Sequence, residues 1–225
     1  MHQRIFNKAE VTKEELKSEL AGTTTVTRKS EAKRTLLEPR AKETATRYEA
    51  PKLMVPVTPE RDHIEGPMNA PLTLVEYGDY QCPYCGAAYP EVKKVQKNLG
   101  PELRFVFRNF PLTNIHEHAL IAAETAEAAA VQQKFWPMHD FLYEHQATLG
   151  DPNIALGYAR KLGLDTQKFE REIAQHTYQK RIKDDFMSGV KSGVNGTPTF
   201  YINGTRHDGE AVAKALIEAL EDAKQ

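Results

Sequence analysis

Residues 72–85 read Leu-Thr-Leu-Val-Glu-Tyr-Gly-Asp-Tyr-Gln-Cys-Pro-Tyr-Cys, and Cys82 and Cys85 are the 2 cysteines of the chain. Residues 72–77 are short, apolar and rich in strand formers, which predicts a buried strand, and a helix is expected to begin at the cysteine motif. The sulfur of Cys82 would then lie at a helix N-terminus, where free N–H groups and the helix dipole favour a thiolate. The spacing brings the Cys85 sulfur within one turn, close enough for a disulfide. The motif therefore indicates thiol chemistry.

The elements around this motif predict an α/β fold. Apolar residues recur at helical spacing after the motif, Gly100 ends that helix, and residues 103–108 form a second strand. A strand, a helix and a strand in this order predict a parallel βαβ unit with a right-handed crossover. Residues 109–193 are predicted to be almost wholly helical. A hairpin at Asn203-Gly204 and a terminal helix complete a ββα half, so the helical insertion, at about residues 112–193, separates the two halves.

Residues 1–60 differ from the rest of the chain, because they are highly charged and contain scattered prolines. We interpret them as an N-terminal arm, with the domain itself at residues 61–225. The arm is either mobile or docked through the apolar patch at Leu53, Met54, Val55 and Val57, on its own domain or on a second copy of the chain. A homodimer formed through the arm is one hypothesis for its role.

Composition excludes several classes of function. The 225 residues carry a net charge of -1, so nucleic acid is not an expected partner. No run approaches the roughly 20 apolar residues of a membrane helix. The N-terminus has no apolar leader, which favours the cytoplasm, or the periplasm if a leader was removed. In a reducing cytosol a paired cysteine motif is catalytic or metal-binding, so a reductase is favoured there.

Gly196-Thr197-Pro198 opens the late strand, where proline is tolerated because it needs no ladder donor. Residue statistics favour an ordinary trans bond before Pro198, since cis bonds are roughly 5–6% of X-Pro bonds. A cis bond would leave the backbone groups of Thr197 free to pair with a substrate chain.

These features together resemble the DsbA-like branch of the thioredoxin superfamily. The resemblance is carried by residues 75–85, by Phe110-Pro111-Leu112 with His116, and by residues 135–140, and it covers roughly residues 61–225. It implies a thioredoxin-like fold and thiol–disulfide exchange on protein or small thiol substrates, without a cofactor. Oxidases, reductases and isomerases share these residues, so the direction of the reaction stays open. Cys82 would be the attacking thiol, Cys85 would resolve the mixed disulfide, and Pro198 would be a cis-proline facing them.

Further residues of the motif have expected roles. Pro83 and Tyr84 would tune the stability of the Cys82 thiolate. The same two residues, together with Thr197 and Pro198, would contact the substrate. Glu76 stands at a position resembling the family's buried acid, where a carboxyl group with a raised pKa would relay a proton to Cys85. The alternation of the strand does not decide whether Glu76 is buried or solvated.

Other classes of function stay open from the sequence. Cys-Pro-Tyr-Cys is also a glutaredoxin-type motif, which would bind glutathione or an iron–sulfur cluster shared between two subunits. A non-catalytic peptide-binding module is a further alternative. His116, His118 and His139 lack the spacing of a helical metal site, so no metal is expected and a structural role for His116 is favoured.

Overall fold

The computed structural model describes residues 49–224, in which a five-stranded sheet separates two layers of side chains. The spatial strand order is β1-β3-β2-β4-β5, and β2 is parallel to β3 with Leu72 opposite Leu103. The other strand pairs are antiparallel. The strands are β1 His63–Glu65, β2 Leu72–Gly78, β3 Leu103–Asn109, β4 Thr199–Ile202 and β5 Thr205–His207. The predicted βαβ and hairpin elements are confirmed, whereas β1 was not predicted.

Seven α-helices are found within the described residues. They are α1 Pro83–Leu99, α2 Ala119–Ala130, α3 Phe135–Glu144, α4 Pro152–Lys161, α5 Thr166–Ala174, α6 Gln179–Ser192 and α7 Ala213–Asp222. Helices α2–α6 form the helical insertion between β3 and β4, as predicted. Within residues 49–224 none of these helices has both the length and the apolar character needed to cross a membrane.

The central strand β2 is buried along its whole length because both faces of the sheet are covered. Leu72 and Leu74 join the apolar cluster that contains Val92 of α1. Val75 and Tyr77, which point to the opposite face, join a second cluster with Phe186 of α6 packed against it. The alternation puts Glu76 on the face that α1 covers, so the side chain is buried rather than solvated.

The first helix of the insertion begins later than predicted. Residues 109–193 were expected to be almost wholly helical, but α2 begins at Ala119. The N–H groups of Ile115 and His116 both donate to the carbonyl of Leu112, so this segment forms turns. The turns keep the segment close to the loop before Cys82, to which His116 is bonded.

Part of the predicted arm packs against the domain. The backbone of Lys52 forms a β-bridge with Thr205, and the N–H of Leu53 donates to the carbonyl of Gly204 at 2.8 Å. Leu53 and Val57 pack against the second apolar cluster. The boundary at residue 60 stays a prediction. Residues 1–48, which make up most of the proposed arm, lie outside the described residues, and the homodimer stays a prediction.

Arg108 ties the segment before β1 to the sheet. Its side chain is 0% exposed, and it donates to both carboxylate oxygens of Asp62, at 2.8 and 3.1 Å. It also donates to the hydroxyl of Tyr77 at 2.8 Å and to the carbonyl oxygens of Val55 and Pro56. A buried charge of this kind is tolerated only when paired and hydrogen-bonded.

We expect Arg108→Ala to lower the free energy of unfolding by about 3–5 kcal/mol, because the buried Asp62 carboxylate loses its fully buried partner and keeps only the partly exposed Arg61 and the N–H of Thr58. Chemical denaturation measures the change. Lys180→Ala is the matched control, since it removes an exposed ion pair with Asp184 and is expected to leave stability unchanged within error. Equal stabilities of the two variants would contradict this account of Arg108.

Candidate dithiol active site

Cys82 precedes the first residue of α1, as predicted. Its backbone is extended, with φ -66° and ψ 122°, and Pro83 occupies the first helical turn, where its missing N–H costs nothing. The Cys82 sulfur lies 3.3 Å from the carbonyl oxygen of Thr197. Both cysteines are free thiols. The N-terminus of α1 therefore presents one sulfur, and the following turn places the other beneath it.

Hydrogen bonds lower the pKa of the Cys82 thiol to about 5. The largest contribution comes from the side chain of Cys85, and the backbone N–H groups of Tyr84 and Cys85 add to it against the opposing effect of burial. Cys82 is therefore a thiolate at neutral pH. Because folding lowers this pKa, the thiolate stabilises the reduced fold in full above about pH 9, and this contribution is lost as the pH falls through about 5.

Cys85 has the opposite electrostatic environment. The side chain is 0% exposed, and burial, its hydrogen bond to Cys82 and the nearby Glu76 raise its thiol pKa well above the usual range. The N–H of Asp79 points at its sulfur, at 3.5 Å. At neutral pH Cys85 thus keeps its proton and donates it in a hydrogen bond to the Cys82 thiolate.

Glu76 lies beneath the two sulfurs. It is 2% exposed, and burial together with the negative charge of Cys82 raises its carboxyl pKa to about 8. Its Oε1 atom has no hydrogen-bond partner among the described residues. A carboxyl group with this pKa exchanges protons near neutral pH, which is the property that the expected proton relay to Cys85 requires.

The loop before β4 forms the opposite wall. The Thr197–Pro198 bond is cis, as the family resemblance implied and contrary to the residue statistics. The hydroxyl of Thr199 donates to the carbonyl of Gly196 at 2.8 Å, which holds this loop together. On the other side of Cys82, Tyr84 is 74% exposed. The structure thus places Thr197, Pro198 and the motif around Cys82.

Asp79 was not singled out in the sequence as a site residue, although it belongs to the quoted motif. Its buried carboxylate accepts from the N–H groups of Gln81 and Leu112 and from Nδ1 of His116, each at 2.8 Å. These bonds join the loop before Cys82 to the segment after β3. His116 therefore has the structural role that was favoured for it, and the side chain of Gln81 extends the same link by accepting from the N–H of His118.

Gln146 supports the motif from the helical insertion. Its side-chain amide donates to the carbonyl oxygens of Tyr80 and Cys82, at 2.7 and 3.0 Å. A Cβ atom on Gly86 would collide with this amide, so the glycine after Cys85 makes room for it. No sequence pattern marked Gln146, because it lies 64 residues from Cys82 in a short turn after α3.

Together the fold and the dithiol geometry define a protein of the thioredoxin superfamily. A thioredoxin family model matches residues 58–222, and the chain belongs to this family. The match begins near the segment that Arg108 anchors and ends in α7.

Among solved structures, the chain is similar to oxidised BdbD from Bacillus subtilis, with a TM-score of 0.67, 22% identity, and coverage of 78% of this chain and 97% of that one. Wolbachia pipientis α-DsbA1 gives a TM-score of 0.65 at 19% identity, covering 76% and 94%. These two likenesses concern the fold. A thioredoxin-like oxidoreductase from Silicibacter pomeroyi is 30% identical, with a TM-score of 0.59 and coverage of 73% and 92%.

The curated relatives that are similar in sequence are named as sodium–proton antiporters rather than as oxidoreductases. Na(+)/H(+) antiporter NhaA 1 of Salinispora arenicola is 47% identical over 171 residues, which is 76% of this chain and 26% of the relative. Na(+)/H(+) antiporter NhaA 3 of Salinispora tropica is 46% identical over 176 residues, again 76% of this chain and 27% of the relative. The chain thus spans about a quarter of the length of these relatives.

We expect the absorbance of the Cys82 thiolate at 240 nm to appear with a midpoint near pH 5 in the reduced protein. Cys85→Ala should move this midpoint upward, toward the ordinary thiol value of about 8.5, because it removes the strongest hydrogen bond to the thiolate. Cys82→Ala serves as the control and should show no transition near pH 5. An unshifted midpoint in Cys85→Ala would contradict the assigned cause.

Proposed function

We propose that this chain is a thiol–disulfide oxidoreductase in which Cys82 is the nucleophile and Cys85 the resolving thiol. The observation that carries the proposal is the position of the two cysteines, with Cys82 at the N-terminus of α1 and Cys85 buried in the turn that follows. This arrangement displaces the pKa values of the two thiols in opposite directions. One sulfur is a thiolate at neutral pH, and its neighbour holds a proton that Glu76 can exchange. Exchange between thiols and disulfides needs both a reactive thiolate and a second thiol within reach.

The direction that this geometry favours is oxidation of substrate dithiols. A stable Cys82 thiolate stabilises the reduced pair, and a stabilised reduced form makes the disulfide form a stronger oxidant. The low pKa therefore favours an oxidase over the reductase that would be expected in a reducing compartment. An oxidising couple fits an oxidising compartment such as the periplasm rather than the cytoplasm.

The proposed cycle oxidises a substrate dithiol in two exchange steps. A substrate thiolate attacks the Cys82 sulfur of the Cys82–Cys85 disulfide, that disulfide breaks, and Cys85 leaves with the electron pair and takes a proton from Glu76. A second substrate thiolate then attacks the substrate sulfur of the mixed disulfide, and Cys82 leaves as a thiolate. Two electrons pass from the substrate to the cysteine pair, and the substrate gains a disulfide.

The proposed substrates are protein thiols, bound in an extended form against Thr197 and Pro198. The exposed Pro83 and Tyr84 would supply further contacts on the other side of Cys82. Small thiols such as glutathione are the alternative substrate, and the arm-mediated homodimer stays a hypothesis. The proposal concerns the thioredoxin domain alone, and the transport activity in the names of the longer relatives is not part of it.

We expect reduced Cys85→Ser to form a stable mixed disulfide with a test peptide that contains a disulfide, whereas reduced Cys82→Ser should form none. The reason is that Cys82 makes the first bond and only Cys85 releases it within the chain. Mass spectrometry under non-reducing conditions detects the adduct, and oxidation of a two-cysteine peptide measures turnover, which both substitutions should abolish.

Three outcomes would overturn the proposal. Full turnover by Cys82→Ser would exclude the assigned nucleophile. Visible absorption after anaerobic purification, lost in Cys82→Ser, would favour an iron–sulfur glutaredoxin-like protein. Peptide binding without turnover in the wild-type chain would favour a binding module.

A further inference from the structure

Tyr143 of α3 has a buried hydroxyl group whose purpose the fold does not explain. The residue belongs to the main apolar cluster, yet its Oη atom has no hydrogen-bond partner among the described residues. Leaving a buried hydroxyl without a partner costs stability, and phenylalanine would fill the same space without that cost. Glu76 Oε1 is a second buried atom without a partner. Both side chains therefore have unused hydrogen-bonding capacity within the same core.

The Tyr143 hydroxyl lies over the end of β2, beside the redox pair. A Cβ atom on Gly78 would approach this hydroxyl to 2.7 Å. Glu76 is two residues away on the same face of the strand, and the N–H of Asp79 points at the Cys85 sulfur, at 3.5 Å. The hydroxyl and the Cys85 sulfur therefore both lie next to the peptide between Gly78 and Asp79, two residues beyond Glu76.

The ring of Tyr143 is held on several sides, so its hydroxyl direction is fixed. Tyr89 stacks on it with ring centroids 5.3 Å apart, and Tyr80 lies 4.9 Å away on a tilted plane. His139 contacts it edge-on at 5.0 Å. The neighbouring hydroxyl of Tyr80 is already bonded to Nδ1 of His139 at 3.0 Å. Tyr143 is thus the aromatic residue of this cluster with a free donor facing β2.

The charge state of Tyr143 makes it a donor. Burial raises its phenol pKa well above the usual range, and negative charge on Cys85 and Glu76 raises it further. The phenol therefore keeps its proton throughout the reaction. A protonated phenol next to two groups that alternate between neutral and anionic forms is suited to stabilise the anionic forms by donating to them.

Building on the proposed function, we propose that Tyr143 is a positioning residue for the step at Cys85, where its O–H donates to the anion formed on Glu76 or Cys85. In the resolving direction, the Cys85 proton passes to the Glu76 carboxylate. The Cys85 sulfur then bonds to Cys82, the Cys82–substrate disulfide breaks, and the electron pair leaves on the substrate sulfur. Tyr143 donates once Glu76 or Cys85 carries the negative charge and loses no proton itself, and the same donation assists the reverse step, in which Cys85 leaves.

The reaction of the reduced protein with 5,5′-dithiobis(2-nitrobenzoic acid) separates the two steps. Attack by Cys82 releases one thionitrobenzoate, and attack by Cys85 on the mixed disulfide releases the second. In Tyr143→Phe we expect an unchanged first phase and a second phase about tenfold slower at pH 7, which corresponds to about 1.4 kcal/mol. The pH midpoint of the second phase should rise by about one unit.

Tyr89→Phe is the matched control. It keeps the ring that stacks on Tyr143 and removes only an exposed hydroxyl bonded to Glu144 at 3.2 Å. Both of its phases should match the wild type. A normal second phase and midpoint in folded Tyr143→Phe would reduce Tyr143 to a packing role, and an equal slowing of both phases would do the same.

The outcome separates this proposal from the proposed function, because a wild-type chain that releases no second thionitrobenzoate would refute the two-cysteine cycle itself. A wild-type measurement covers the case in which Tyr143→Phe fails to fold. The ¹³Cζ resonance of Tyr143 should shift with the titration of Glu76 near pH 8. A resonance that is constant through that range would overturn the proposal.

Discussion

The hydrogen bond between the two cysteine side chains is the contact on which the rest of the site depends. It lowers the pKa of Cys82 and raises that of Cys85, so a single contact gives the two sulfurs different chemistry. The contact exists because α1 begins at Pro83 and brings position 85 beneath position 82 within one turn. A longer or shorter spacing would lose both the hydrogen bond and the disulfide that replaces it.

The surrounding structure holds this turn in place from three directions. Asp79 fixes the loop before Cys82. The side-chain amide of Gln146 donates to two carbonyl groups of the turn and so restrains it, and the carbonyl of Thr197 approaches the Cys82 sulfur from the loop before β4. Glycines at positions 78 and 86 make room for Tyr143 and Gln146. The helical insertion is therefore part of the site, since both of these side chains come from it.

Local patterns were sufficient to predict the βαβ unit around the motif, the helical insertion and the hairpin, because periodicity and turn chemistry are encoded over a few residues. They failed where partners are distant in sequence. The short strand β1 pairs with β3 some forty residues later, and its residues carry no strand pattern. The burial of Glu76 was undecided for the same reason, because it depends on α1 covering that face. Asp79 and Tyr143 were missed because their importance lies in contacts across the fold.

The reduction potential of the Cys82–Cys85 pair tests the central claim most directly. Equilibration with glutathione, followed by separation of the reduced and oxidised forms, measures it. If Cys85 and the start of α1 stabilise the Cys82 thiolate as described, the potential should lie at the oxidising end, between about -180 and -120 mV. A value near that of thioredoxin, about -270 mV, would contradict the account, because it would mean that the thiolate gains no such stabilisation.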